Sequence, residues 1–478
     1  MSENSEEDQL KDRLEQLRCH FTWKFLIEDV EMTDLENRIY NQIEYLDTKF
    51  NVAIHNLLAY VKHLKGQNTE ALQSLKQAED LSQTEHAGQS EVRRLVTWGN
   101  YAWLYYRMGR LEEAQMYLDK VESTCKKFAS PSCYSVESPY MDCDEGWALL
   151  KCGGKNYEHA KACFEKALEV DPENPEFNTG YAIAVYRLNG FIRASETDEA
   201  FCLQTLKRAI ELNPEDAYIK PLLALKLQDI GQEAEGEKYI EEALTNKSSQ
   251  TYVFRYAAKF YRRKGSVDKA LYYLKKALRA TPSSAFLHHQ IGLCYRSQVF
   301  QMKKANNWKP RGWDRESINR IIQLAISHFE FALEQKPTME IAYVHLADMY
   351  LEAGNTRKAE DAYKTVFSMK SVEEEKLQEL YFRYGRVNEF HKKSEADAII
   401  YYLKAIKIEK SSFSRDNSLS ALEKLLLRKL QRNEADVESL SILGFVYKLK
   451  GEMHEALGYY ERALRLAAGS ENSVGCVP

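Results

Sequence analysis

The chain has 478 residues, 44% of them hydrophobic and 29% charged, and a net charge of −5. One compact core does not grow to that length, and the balance is too apolar for a disordered chain, so several domains or a solenoid are expected. Only 21 glycines and 10 prolines exclude a turn-rich all-β protein and favour long helices with short connections.

In chain order, residues 1–50 carry 13 acids against 6 bases. That polar start predicts no signal or transit peptide, and no apolar run approaches bilayer length, so a cytoplasmic address with no membrane association is expected. From near His55 to Leu466 the sequence resembles itself at a period near 34 residues. Ala209, Ala243 and Ala277 close successive units, and Ala167, Ala332, Ala405 and Ala463 take the same place elsewhere. Ala224, Ala258 and Gly292 recur in the upstream half, each followed three residues later by Leu227, Tyr261 or Tyr295. Pro172, Pro214, Pro282 and Pro337 fall five residues after a closing alanine, where a helix must stop. This is the tetratricopeptide pattern, in which helical hairpins stack because none buries its apolar face alone. About nine units are expected, most clearly at 98–128, 141–175, 215–247, 250–282 and 437–468. Insertions projecting from one face are expected near 188–200 and 296–320, and linking helices at 371–380 and 410–434.

Catalytic signatures are absent, since the chain holds no phosphate-loop, H-E-x-x-H, G-x-S-x-G or G-x-G-x-x-G motif. CGGKN at 152–156 falls where a hairpin needs its turn. Nine irregularly spaced cysteines without a C-x-x-C pair predict no metal site and no cofactor. The informative stretch is 250–311, with 14 Lys/Arg against the single acid Asp268. There Arg255, Lys259 and Arg262 fall at i, i+4 and i+7, three cations on one face of a first helix. His289 stands one period after Arg255, and Arg296 one period after Arg262. Tyr252, Phe254, Tyr256, Phe260, Tyr261, Trp308 and Trp313 interleave with the cations, and aromatic faces among Lys/Arg suit single-stranded nucleic acid. Trp147 and Lys151, at i and i+4, share a helix face. The rival reading is a scaffold that binds peptide or protein partners in its groove.

The segments LRCHFTW (17–23), LDTKFNVAIHNLLAYVKHLKGQ (46–67), DEGWALLKCGGKNYEHAKACFEKALEVDPENPEF (144–177) and FRYAAKFYRRKGSVDKAL (254–271) resemble the interferon-induced proteins with tetratricopeptide repeats, above all the first member and its near paralogue. The resemblance covers essentially the whole chain. It implies an all-α superhelix clamped around a basic central channel, and a non-enzymatic antiviral protein. Such a protein binds single-stranded RNA 5′ ends carrying a triphosphate or a cap without 2′-O-methylation, and it blocks their translation. It implies cap contacts at Trp147, Leu46, Thr48, Ile183 and Glu176. Phosphate and ribose contacts are implied at Arg38, Gln42, Lys151, Tyr157 and Arg187. Backbone contacts are implied at Tyr218, Arg255, His289, Gln290 and Lys336, beside Lys259 and Arg262 of the basic face. The motif YERAL, with Tyr460 and Leu464, implies self-association as a possible homodimer, and paralogues and a translation initiation factor are implied partners. On this reading residues 1–240 hold the pocket, 241–337 the basic stripe, 338–468 a C-terminal repeat subdomain and 469–478 a flexible tail. The acidic N-terminus and the tail GSENSVGCVP depart from the family and touch no implied site.

Overall fold

The computed structural model describes residues 3–28, 30, 32–45, 51–82, 87–190, 195–245, 250–369 and 374–471, which hold helices and no strand. Helices α1 (Glu3–Leu14) and α2 (Met32–Tyr45) precede the repeats. Antiparallel pairs follow: α3 (Asn51–Leu64) with α4 (Asn68–Ser82), α5 (Ala87–Arg107) with α6 (Leu111–Lys127), and α7 (Pro139–Lys151) with α8 (Tyr157–Val170). Next come α9 (Pro175–Asn189) with α10 (Glu196–Leu212), α11 (Ile219–Asp229) with α12 (Glu233–Thr245), and α13 (Gln250–Arg263) with α14 (Val267–Ala280). The remainder is α15 (Ala285–Ala305), α16 (Gly312–Gln335), the pair α17 (Glu340–Glu352) and α18 (Thr356–Ser368), the pair α19 (Glu374–Val387) and α20 (Glu395–Lys407), then α21 (Phe413–Arg432), and last the pair α22 (Val437–Lys450) and α23 (Met453–Glu471). The chain divides into two compact units, 1–287 and 288–478.

The repeat positions act as their chemistry requires. Ala167, Ala209, Ala243, Ala277, Ala332 and Ala405 are buried where helices touch. The four prolines each follow the residue that ends a helix, as Pro172 follows Asp171 after α8 and Pro337 follows Lys336 after α16. Helix starts are capped locally: Ser138 accepts from Tyr140 N–H ahead of α7, and Asn174 accepts from Glu176 and Phe177 N–H ahead of α9. The glycine of the α9 seam is required by close approach. A Cβ built on Gly180 would lie 2.2 Å from the ring of Phe164, which is wholly buried.

One expectation is filled out and one is corrected. The insertion at 296–320 is helical. It lengthens α15 to 21 residues and α16 to 24, with a short turn between them. His288 of α15 lies 4.1 Å from Phe331 of α16, and a Cβ on Gly292 would meet Phe329, so these longer helices still pair. By contrast α19, expected as a linking helix, packs against α20 as a repeat hairpin, while α21 does stand between hairpins. Part of the 188–200 segment, residues 191–194, lies outside the described residues.

Candidate functional site

The C-terminal end of α7 is where cations gather. A helix ends with unsatisfied carbonyls and a partial negative charge, so guanidinium groups are drawn there. Arg187 of α9 donates from Nη1 to the Leu150 carbonyl at 2.6 Å, and Arg38 of α2 donates from Nη1 to the Lys151 carbonyl at 3.3 Å. Lys151 therefore has its ammonium in a positive field. Burial, then Arg187, Arg38 and Arg255, push it down from the ordinary lysine range to about 7. An anion placed there would favour the charged form of Lys151.

Trp147, one turn before Lys151, rests edge-on against Phe164 at 5.5 Å. Trp147, Ala148 and Lys151 line one side of a narrow cavity whose other wall is Gln42, Ala53, Ile54 and Leu57. The volume open to water there is about 20 Å³, enough for one molecule. Gln42 and Lys151 thus meet beside Trp147. Leu46 and Thr48 lie outside the described residues. Ile183 is wholly buried in the core formed by α7 to α11. Glu176 is half-buried, and Arg93 donates to both its oxygens at 3.1 Å. Arg93 also lies 3.8 Å from Asp144. The wall residues Ala53, Ile54 and Leu57, and the clamp Arg93, were not singled out from sequence. Each sits at an ordinary repeat position that carries no distinguishing signal.

Arg187 lies over the Tyr157 ring at 5.4 Å and among Tyr218, Tyr252 and Tyr256. Tyr218 stacks on Tyr252 with ring centroids 3.5 Å apart, and Tyr256 follows at 4.5 Å. Arg255 covers Phe286 at 4.0 Å. Burial, then Arg263 and Arg262 against the opposing pull of Asp229, push Lys259 down to about 8. Arg187 and Arg255, which act on Lys151, thus act on Tyr218 as well.

The basic stretch as a whole is less free than its sequence suggests, because neighbouring repeats supply acids. Arg263 pairs with Asp229 at 2.6 Å, Lys264 with Glu237 and, at 3.8 Å, with Glu233, and Lys269 with Glu237 at 3.9 Å. In the second unit Arg296 pairs with Asp348 at 2.8 Å and Lys303 with Glu352. Phe260 and Tyr261 are buried core, whereas Trp308 and Trp313 are exposed.

In the second unit His289 is buried, with Nε2 3.0 Å from Nδ1 of His345, and Gln290 Nε2 lies 3.4 Å from its Nδ1. Lys336 ends α16, its N–H donating to the Ala332 carbonyl. On α23 Tyr460 packs against Gly444, where a Cβ would lie 2.7 Å from its ring. Leu464 is 70% exposed, and so are two apolar residues the sequence reading passed over, Leu457 at 60% and Met453 at 54%. They fall on one face of α23 as a stripe, which scattered surface leucines do not.

Tetratricopeptide repeat models match residues 51–127, 154–174 with 341–372, and 439–472. The antiviral innate immune response effector IFIT1 of Macaca fascicularis is 67% identical over 474 residues, 99% of either chain. Solved structures are equally similar. The monomeric mutant of IFIT1 (L457E/L464E) with Gppp-AAAA superposes with a TM-score of 0.91 at 66% identity, covering 96% of this chain and all of that one. Human IFIT1 dimers with m7Gppp-AAAA and with PPP-AAAA give TM-scores of 0.89 and 0.86 at 66% and 63% identity, each over 96% of this chain and 100% of theirs. With two thirds of its residues shared along nearly the full length of such relatives, the chain belongs to the interferon-induced proteins with tetratricopeptide repeats.

Proposed function

We propose that this chain is a non-enzymatic antiviral effector. It binds the single-stranded 5′ ends of foreign RNA, either triphosphorylated or capped without 2′-O-methylation, and so blocks their translation. The observation that carries the proposal is Lys151, depressed to about 7 among three arginines at the end of α7 and one turn from Trp147. A polyanion that joins cations repelling one another relieves that repulsion and is bound the more tightly for it. Human IFIT1, bound to m7Gppp-AAAA and PPP-AAAA at 63–66% identity, supplies the ligand class.

In this reading Arg38, Gln42, Lys151 and Arg187 grip the phosphate bridge, and Arg187 with Tyr157 meets the first riboses. A pocket fitted to a free 2′-hydroxyl excludes an added methyl. Trp147 stacks on the guanine, and a methylated guanine adds cation–π attraction. Leu46, Thr48 and Ile183 complete the cap pocket. Thr48 and Glu176 stand near the guanine's polar edge. Tyr218, Arg255, Lys259, Arg262, His289, Gln290 and Lys336 take the following backbone. The assignment is cytoplasmic, as the family resemblance implies. Self-association through α23, paralogues and an initiation factor are the protein partners of the same proposal.

One short RNA carrying a hydroxyl, a triphosphate, an unmethylated-ribose cap or a 2′-O-methylated cap tests it by gel shift. Triphosphate and unmethylated-ribose cap are expected to bind, the other two weakly. Arg187→Ala is expected to lose both bound forms. Trp147→Ala is expected to weaken the capped RNA at least about tenfold, the worth of one stacked base, and the triphosphate little. Normal binding by both variants would remove the site assignment. Equal binding of all four ends would favour a peptide groove.

A further inference from the structure

We propose that Glu145, His159 and Cys163 form a binding site for a single zinc-class divalent ion that clasps α7 to α8. His159 and Cys163 are i and i+4 on α8, so both project from one face a turn apart. Glu145 comes from the facing turn of α7. Their donor atoms all lie within 4.8 Å of one another, and His159 Nε2 is 3.5 Å from Glu145 Oε1. Zinc bonds of about 2.0–2.3 Å place tetrahedral ligand atoms roughly 3.3–3.8 Å apart, so the three need close by about 1.5 Å at most.

The donor set is one thiolate, one imidazole and one carboxylate. This mixed, borderline-soft chemistry suits zinc and disfavours magnesium and calcium, which take oxygen alone. The outer contacts are those of a supported ligand. Arg18 Nη2 holds Glu145 by Oε2 at 3.0 Å and Asp142 by Oδ1 at 2.8 Å, which leaves Glu145 Oε1 turned toward His159. Lys166 reaches the same Asp142 oxygen at 3.4 Å. Hydrogen bonds that orient a ligating carboxylate are typically worth about 10–100-fold in metal affinity. Cys163 and Glu145 are nearly buried while His159 is 43% exposed. An ion therefore enters over the histidine, and solvent fills the fourth position.

Burial, then Glu145 and Asp142, push the Cys163 thiol up to about 12. Binding must therefore expel the thiol proton to solvent, and the ion's charge replaces it between two carboxylates. The ion would join the two helices of the hairpin that carries Trp147 and Lys151. The inference does not depend on the RNA reading, because none of its ligands is a proposed RNA contact.

The test uses the full chain, stripped with a chelator and titrated with Co²⁺. One equivalent is expected to bind with a thiolate-to-cobalt charge-transfer band, to be displaced by Zn²⁺, and to raise the melting temperature. Cys163→Ala is expected to abolish the band. His159→Ala, at an exposed position that leaves the core intact, is expected to weaken cobalt binding at least about tenfold. Cys133→Ala, at the exposed cysteine, is expected to change nothing. Absence of stoichiometric binding, or a band that survives in both His159→Ala and Cys163→Ala, would overturn the proposal. So would loss of the band in Cys133→Ala.

Discussion

Lys151 is held in a protonation balance that the fold alone does not favour. Its pKa in the folded chain is about 7, pushed down by burial and by Arg187, Arg38 and Arg255. In the unfolded chain it returns to the ordinary lysine range. Between those two values the unfolded state holds a proton the folded state has released, so the ligand-free chain gains stability as pH rises through that window. A phosphate reverses the sign locally. It favours the charged form, so the complex keeps the proton that the free protein lacks, and RNA binding takes up a proton above about pH 7. Affinity for triphosphate RNA is expected to fall by up to about tenfold per pH unit there. Calorimetric titrations at about pH 8 in buffers of different ionisation enthalpy read the uptake directly. In Lys151→Met the uptake is expected to vanish and affinity to drop about tenfold or more. The ligand-free variant should melt a few degrees higher, since one strained charge of order 1–2 kcal/mol has gone. Uptake of the same size in the variant would place the titrating group elsewhere.

Among the elements, α7, α8 and α9 set the site's geometry through one ring. Phe164 of α8 lies under Trp147 and against both Gly146 of α7 and Gly180 of α9. A Cβ at position 180 would stand 2.2 Å from that ring, and the wholly buried phenylalanine has no space to retreat. Gly180→Ala is therefore expected to lower unfolding free energy by about 1–3 kcal/mol, the range of overpacked cores. It should also weaken capped RNA through Trp147 more than triphosphate RNA. Chemical denaturation and the gel shift measure the two effects. The seams of such hairpins are legible in sequence, because Ala209, Ala243 and Ala277 repeat the same contact at a fixed interval and a small residue there has one use. The pairing of Trp147 with Lys151 was legible from their i, i+4 spacing, but their meeting with Arg38, Gln42, Arg187 and Tyr157 was suggested only by family resemblance, since α2, α7, α8 and α9 supply them from separate stretches of sequence. Illegible by either route was the neutralisation of the basic stretch. Asp229, Glu237, Asp348 and Glu352 reach its cations from neighbouring helices, and a running charge count sees only what is adjacent along the chain. The same limit hid the Glu145, His159 and Cys163 group, whose i, i+4 half lies in one helix and whose third member crosses the hairpin.

At the scale of the whole molecule, two surfaces carry opposite chemistry. The stripe of Met453, Leu457 and Leu464 on α23 is apolar and exposed, and in IFIT1 the mutant L457E/L464E is monomeric. The same pair of changes in this chain is expected to convert a concentration-dependent dimer to monomer in sedimentation, with RNA affinity kept within about twofold, because none of the phosphate-gripping residues lies on α23. The other surface is electrostatic. With a net charge of −5, the chain as a whole repels RNA beyond a Debye length, about 10 Å at 0.1 M salt. Added salt therefore relieves the long-range repulsion while it weakens the local grip, and the sign of the net effect distinguishes the two. If Arg38, Lys151, Arg187, Arg255 and Lys259 neutralise four or five phosphates, counterion release of about 0.7 per phosphate on a single strand gives a slope of log affinity against log salt near −3. A triphosphate end places the densest charge at the deepest cations, so its slope is expected to be steeper than that of the same RNA with a 5′ hydroxyl. Filter binding across a salt series measures both. Equal slopes for the two ends would mean that the 5′ phosphates are not what these cations hold.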